Sequence, residues 1–486
     1  MARSSHPNIL IVLADQHRFD CIGAYGNADI CTPNIDSLAA DGVRFDNTFC
    51  TFPVCTPSRY SILSGLYVHQ HTGSSNHCTL PGSIDTFPKL LRNAGYRTRA
   101  VGKMHFTPTY LDAGFDEMTL AEQHGPGRYD DDYHRYLRAK GLCDCLDMTD
   151  QIQEYREKAP RGYNESFATW PSNLAEKDYS TTWIGERAIE ALESWDDGAN
   201  LLMVGFIKPH HPFDAPKPWS EMYDPDSLSL LPGWMSECSR EDLMVSRGYY
   251  PHDEMTEGDI RRIMAQYYAS ITQIDYHVGK MIEVLKRTGR YDDTLIIYTS
   301  DHGEFMGFHH LILKASCMYD PLVKVPLIIR FPGQERRGEI SDALVSLADI
   351  APTILAQAGC ERGMYMRGND LALDRSGREF AFAASDSGPE FMVRSRTRKL
   401  LLRKPGDSRF YDLERDPLEM NNLYNDQNYR QEIKELTERL LRWSLFESAP
   451  PAGVDRQAGV VREIKPKEHE ELSACLREQM HLFLEQ

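Results

Sequence analysis

The sequence predicts an α/β protein: a large, mostly parallel or mixed sheet sandwiched by helices, with a smaller C-terminal α+β subdomain carrying an antiparallel sheet. Four apolar runs point to the large sheet: Asn8 to Ala14, Arg97 to Val101, Leu201 to Ile207 and Thr294 to Thr299. The first reads as a strand buried on both faces, and segments of helical period lie between the runs. The second observation is a change of texture near Arg375, after which short β-like runs follow: Phe380 to Ala384, Glu390 to Val393 and Lys399 to Leu402. The expected division is 1–374 for the large α/β domain and 375–486 for the subdomain with its tail.

The bulk composition narrows the function class. The chain has 486 residues, 41% hydrophobic and 26% charged, which is an ordinary globular balance. A formal net charge of −18 argues against nucleic acid or an anionic membrane as a general partner. No apolar run reaches transmembrane length, and the polar Met1 to Pro7 with the short run after it does not make a secretory leader, so a cytoplasmic location is expected. The 11 cysteines are odd in number and scattered, as reduced thiols would be. Cys143-Asp144-Cys145 lacks a second pair at zinc spacing and reads as a surface loop.

In chain order, the first strand ends at Asp15-Gln16, where an open α/β sheet places ligands outside its strand ends. Thr32-Pro33 opens a helix through Ala40, and Gly42 closes it. In Cys55-Thr56-Pro57-Ser58-Arg59, Thr56 reads as an N-cap and Pro57 as the first helical residue. Cys55 would then stand just outside a helix N-terminus that suits an oxyanion, with Arg59 adding a donor fork. His69, His71 and His77 read as surface groups of a loop. A helix over Thr86 to Asn93 leads into the second strand, which ends at Gly102-Lys103-Met104-His105.

Ala121 to Pro171 shows no clean period and reads as an insertion walling a pocket. After a helix over Thr181 to Trp195, the third strand ends at Lys208-Pro209-His210-His211. Ser220 to Asp259 is a second loop-rich insertion, and Ile260 to Lys286 an amphipathic helix. The fourth strand ends at Ser300-Asp301-His302-Gly303-Glu304, followed by Lys314, a strand over Pro326 to Phe331 and a helix over Leu347 to Ala358. A helix over Gln431 to Phe446 should dock on the small sheet. An amphipathic tail over Glu463 to Leu484 should cover its own core or a neighbouring copy in a homo-oligomer. If the four main strands share one sheet, Asp15, Lys103, His105, His210, Asp301 and His302 converge beside Cys55.

Several of these segments carry a family resemblance. Cys55-x-Pro57-x-Arg59 with the Ser61 to Gly65 helix resembles the signature of the formylglycine-dependent (type I) sulfatases of the alkaline phosphatase superfamily. So do Gly102-Lys103-x-His105, Lys208-Pro209-His210-x-Pro212-Phe213, and the Asp301-His302-Gly303-Glu304 block with Lys314 downstream. Phe410 to Leu423 resembles the family's C-terminal segment. The resemblance implies a sulfuric ester hydrolase in which Cys55, oxidised to formylglycine by a maturation enzyme, supplies the nucleophile. It implies that Arg59 orients the hydrate, that Lys103 and Lys314 hold sulfate oxygens, and that His105 and His210 transfer protons. It also implies one divalent ion on Asp15, Gln16, Asp301, His302 and residue 55. Gln16 stands where many members have a second aspartate, which leaves Ca²⁺ and Mn²⁺ level, with Mg²⁺ also credible. The expected substrate is a small sulfate ester. A phosphonate monoester or phosphodiester hydrolase of the same superfamily is the alternative enzyme, and a non-catalytic protein binding sulfated ligands the alternative of another class.

Overall fold

The computed structural model describes residues 6–123, 130–160, 162–239, 242, 250, 254–314, 317–385, 390–448, 474, 476–482 and 484. Eight strands form the large sheet: β1 (Asn8–Asp15), β2 (Val43–Phe49), β3 (Arg97–Gly102), β4 (Glu117–Leu120), β5 (Asn200–Pro209), β6 (Thr294–Ser300), β7 (Lys324–Arg330) and β8 (Glu339–Ser346). Their order is β4-β3-β5-β1-β6-β7-β2-β8. Every pairing is parallel except those of β7 with β6 and β2, so β7 alone runs against the rest.

The apolar run of β1 shows why this sheet is covered twice. Side chains alternate across a strand. Ile9, Ile11 and Leu13 enter one core with Ile62, Leu91 and Ile354, from the helices Cys55–Ser64, Phe87–Asn93 and Ile350–Gln357. Leu10, Val12 and Ala14 enter the opposite core with Ile184 and Leu192 of the helix Ser180–Glu193 and Ile274, Val278 and Met281 of the helix Glu257–Arg287. That long helix starts at a capping box, Thr256 with Asp259.

A second sheet, β9 (Ala381–Ser385), β10 (Glu390–Arg394), β11 (Arg398–Leu402) and β12 (Arg409–Asp412), is antiparallel throughout. Leu436, Leu440 and Trp443, from the helix Arg430–Arg442 and the turn after it, pack on Phe382, Val393, Leu400 and Phe410. The other face joins the large core through Ala381, Ala383, Met392 and Leu401.

Three expectations change. The first insertion is not irregular, for it contains the helices Asp132–Ala139 and Cys145–Gln151; both are short, and the N-cap of the first, Asp131, sits in an acidic run, Asp130-Asp131-Asp132, that hides its start signal. Cys143 and Cys145 are buried rather than on a surface loop, under Leu476 and Met480 of the tail. The described end of the tail thus covers its own chain, and 463–473 lie outside the described residues. His71 is buried too, its Nε2 3.0 Å from Ser61 Oγ. Among the described residues, no helix is long and apolar enough to cross a membrane.

Candidate active site

The carboxyl ends of β1, β2, β3, β5 and β6 all open onto one edge of the sheet, because these strands run the same way. β2 was not legible in the sequence, yet it delivers the segment that leads to Cys55. β1 delivers Asp15 and Gln16, β3 Lys103 and His105, β5 His210, and β6 Asp301 and His302. Lys314 comes from the loop after β6. All are buried except Lys314, which is partly exposed, so every predicted site residue lies at this edge.

Cys55 is the first residue of its helix rather than a residue before it. Val54 is the extended N-cap, and the Thr56 hydroxyl donates to the His105 carbonyl at 2.7 Å instead of capping. The Thr56 amide donates to Asn76 Oδ1 at 3.1 Å, so that first-turn donor is already occupied. Arg59 is likewise not a fork held out to an anion. Its Nε donates to Asp301 Oδ2 at 2.8 Å, its Nη2 to Asp15 Oδ2 at 3.0 Å, and its Nη1 to the Lys103 carbonyl. It ties β1, β3 and β6 together from beneath. Space for it depends on Gly205 of β5, where an added Cβ would stand 1.9 Å from that same carbonyl oxygen.

Around the sulfur, Lys314 Nζ lies at 3.2 Å, His302 Nε2 at 3.3 Å and Asp15 Oδ1 at 3.5 Å. Burial and Asp15 push the Cys55 thiol up, but Lys314, Lys103 and His302 outweigh them and bring it down to about 6. Burial likewise raises the Asp15 carboxyl, yet the Lys103 and Arg59 cations hold it well below the usual carboxylate range. Asp301 moves up, from burial and the nearby Asp15 charge. His210 donates from Nδ1 to the His211 carbonyl at 2.7 Å, which turns Nε2 towards Lys314 Nζ at 3.0 Å. Burial and Lys314 keep this imidazole neutral, well below its ordinary range. His211 stacks on it with ring centres 4.0 Å apart and points its Nε2 at Asp150 Oδ2, 3.3 Å away, so it stands behind the site.

The donor set fits a divalent cation. Ligand atoms of Asp15, Cys55, Asp301 and His302 all lie within 4.8 Å of one another. His302 Nδ1 donates to the Gly303 carbonyl at 2.9 Å, leaving the Nε2 lone pair directed at the cluster. Gln16 has a positive φ of 64° and donates its amide nitrogen to Glu304, while its Oε1 is buried without a partner. An orphaned buried carbonyl oxygen on the residue after Asp15 is one a cation would satisfy. Glu304 has no role in the sequence reading. Here it fixes which way the Gln16 amide faces.

Two further residues escaped sequence reasoning. β4 ends beside β3 and delivers Glu122 and Gln123. Glu122 Oε1 accepts from the amides of Met104 and His105, both at 3.0 Å, and Gln123 Oε1 accepts from Lys103 Nζ at 3.1 Å. A four-residue strand with charged and polar neighbours offers too little period to be read.

Known proteins resemble this chain along most of its length. Residues 7–360 match the family described as Sulfatase, and residues 307–445 match the C-terminal part described for N-sulphoglucosamine sulphohydrolase. An arylsulfatase of Clostridium perfringens is 29% identical over 468 residues, covering 90% of this chain and 94% of that protein. A multifunctional alkaline phosphatase superfamily protein, PehA, of Trinickia caryophylli is 28% identical over 510 residues, covering 90% and 95%. The crystal structure of a phosphonate monoester hydrolase of Agrobacterium radiobacter superposes with a TM-score of 0.78 at 24% identity, covering 94% of this chain and 100% of that one.

Proposed function

Because the chain belongs to the sulfatase family and is a sulfuric ester hydrolase, we propose that it hydrolyses a small sulfate monoester through a formylglycine made from Cys55 by a maturation enzyme. The observation that carries this reading is the surplus of cationic groups around the Cys55 side chain. Among the described residues, Arg59, Lys103 and Lys314 stand against Asp15 and Asp301 beside residue 55, and with Cys55 converted to an uncharged formylglycine these cations outnumber those two carboxylates where a sulfate would sit.

In this reading one hydroxyl of the formylglycine hydrate attacks sulfur and the S–O bond to the alcohol breaks, the alcohol leaving with a proton. The second hydroxyl then loses its proton, the carbon–oxygen bond to the sulfated oxygen breaks, and sulfate departs as the aldehyde re-forms; water restores the hydrate. His210, with Nε2 directed into the site, and His105 hold and deliver these protons. Lys103 and Lys314 bind sulfate oxygens, and Arg59 keeps Asp15 and Asp301 in place beneath them. Asp15, Gln16, Asp301, His302 and residue 55 would hold the metal, Ca²⁺ or Mn²⁺ before Mg²⁺. The metal would supply Lewis-acid stabilisation of the sulfate oxygens and acidify the hydrate.

Peptide mass spectrometry across Cys55, on protein produced with a formylglycine-generating enzyme, tests the nucleophile. An aldehyde supports it, and a fully retained thiol with a matured control protein refutes it. A second reading is phosphonate monoester hydrolysis, the activity named for a Silicibacter pomeroyi enzyme that superposes with a TM-score of 0.75 at 25% identity, covering 90% of this chain and 94% of that one. Faster turnover of phenyl phosphonate than of an aryl sulfate would put it first.

A further inference from the structure

We propose that Gln123 is a positioning residue for this reaction, aiming the Lys103 ammonium at the substrate anion. Gln123 is 1% exposed and stands three residues past Leu120, whose register partner on β3 is Gly102. Its Oε1 accepts from Lys103 Nζ at 3.1 Å. Its Nε2 donates to Asp147 Oδ1 and, at 3.0 Å, to the carbonyl of His211. The orientation of the amide is thereby decided, because the flipped form would set NH₂ against an ammonium and the carbonyl oxygen against a carboxylate and another carbonyl.

The consequence lies in the geometry of an ammonium group. Lys103 Nζ also contacts Asp15 Oδ2 at 2.8 Å. A tetrahedral –NH₃⁺ has three donors, and fixing two of them fixes the direction of the third. With Asp15 alone the group is free to pivot about a single contact on a flexible four-carbon stem. With Gln123 added, the third N–H has one direction. The same amide reaches β5 through His211, the neighbour of His210, and reaches the helix Cys145–Gln151 through Asp147. It therefore keeps the lysine of β3 in register with the histidine of β5. Glu122 performs a parallel task for the backbone, holding the amides of Met104 and His105, the latter at a φ of 57°.

The inference rests on Lys103 binding the transferred group, and the test separates the two ideas. A double-mutant cycle compares Gln123→Leu in the parent protein and in a Lys103→Ala background. It is read in kcat/KM on whichever ester, aryl sulfate or phenyl phosphonate, the parent turns over faster, and in the affinity of inorganic sulfate measured calorimetrically on Cys55→Ala protein. Gln123→Leu alone should lower kcat/KM about tenfold or more, mostly in kcat, and weaken sulfate several-fold, with an unchanged melting temperature. On Lys103→Ala it should change either quantity less than twofold. Equal losses in both backgrounds would show that Gln123 acts by holding the fold or the His210 turn, and would overturn the proposal. So would a fully active Gln123→Leu. Preference for phosphonate would displace the sulfatase reading, while a measured coupling between Gln123 and Lys103 would still establish the positioning role.

Discussion

Two of the protein's buried clusters of charge differ in a way that separates a joint from a proposed reaction site. In the first, where the main sheet meets the small one, Asp320 accepts from Arg394 at 2.8 Å and Lys399 at 2.8 Å; Lys399 also meets Glu419 at 2.7 Å, and Glu419 accepts the Asp320 amide at 2.7 Å. Two carboxylates are paired directly with two cations. In the second, Asp15 and Asp301 face Arg59, Lys103 and Lys314, with a thiol, the neutral His210 and an orphaned Gln16 oxygen added. Burying balanced charge holds elements in one arrangement and is otherwise close to neutral for stability. Burying unbalanced positive charge leaves an attraction that an added anion completes. The first cluster is complete on folding, whereas the second, in the function proposed above, binds the substrate anion.

That contrast can be broken by substitution. Cys55→Ala should abolish turnover, by about a thousandfold or more, while leaving the melting temperature within a few degrees, as steady-state kinetics and calorimetry would show. Stripping divalent ions with a chelator should lower turnover of an aryl sulfate by about a hundredfold. Restoring Ca²⁺ and Mn²⁺ separately, with metal content measured, identifies the ion, and Gln16→Leu should weaken its binding.

At the joint the expectation reverses. Asp320→Asn leaves Arg394 and Lys399 without their shared partner, and should destabilise the fold by about 3 kcal/mol in urea titration, with kcat nearly unchanged. The pH dependence sharpens this. Burial raises the Asp320 carboxyl, but Arg394, Lys399 and Lys324 overcome it and hold it far below the ordinary aspartate range. A depressed folded-state pKa contributes stability that is complete above the unfolded value of about 4 and lost as pH falls below it. The parent should therefore lose stability more steeply than Asp320→Asn below about pH 4.

The smallest effect belongs to the unmatured thiol. Thiolate absorbance, taken as the difference between the parent and Cys55→Ala in the presence of chelator, should rise with a midpoint near about 6. A midpoint at or above the ordinary free-thiol value of about 8.5 would mean that the cations around the sulfur do not outweigh burial and Asp15.

The long apolar runs were legible because a strand covered on both faces must be apolar at every position, and β1, β5 and β6 are buried along almost their whole length. β2 was not. Its sequence Val-Arg-Phe-Asp-Asn-Thr-Phe mixes charge into alternation, and a bulge between Phe45 and Thr48 breaks its register with β7. The active-site helix begins at Cys55, ahead of the Thr-Pro pair that signals a start locally, because the Thr56 hydroxyl finds a tertiary partner in the His105 carbonyl.

By itself the sequence determined which residues end the strands, Asp15, Lys103, His105, His210, Asp301 and His302, because apolar patterning is a local property that can be read along the chain. That these ends gather at one edge beside Cys55 follows from the parallel pairing of the strands, which is tertiary. Only the tertiary structure decided how those groups divide their labour. It turned Arg59 inward onto two carboxylates, left one Gln16 oxygen without a partner, and brought Gln123 and Glu122 across from β4 to hold Lys103 and His105. Those are choices of partner between residues 17 to 242 positions apart. No local pattern encodes them, because each is settled by which donor and acceptor are left over once the sheet has closed.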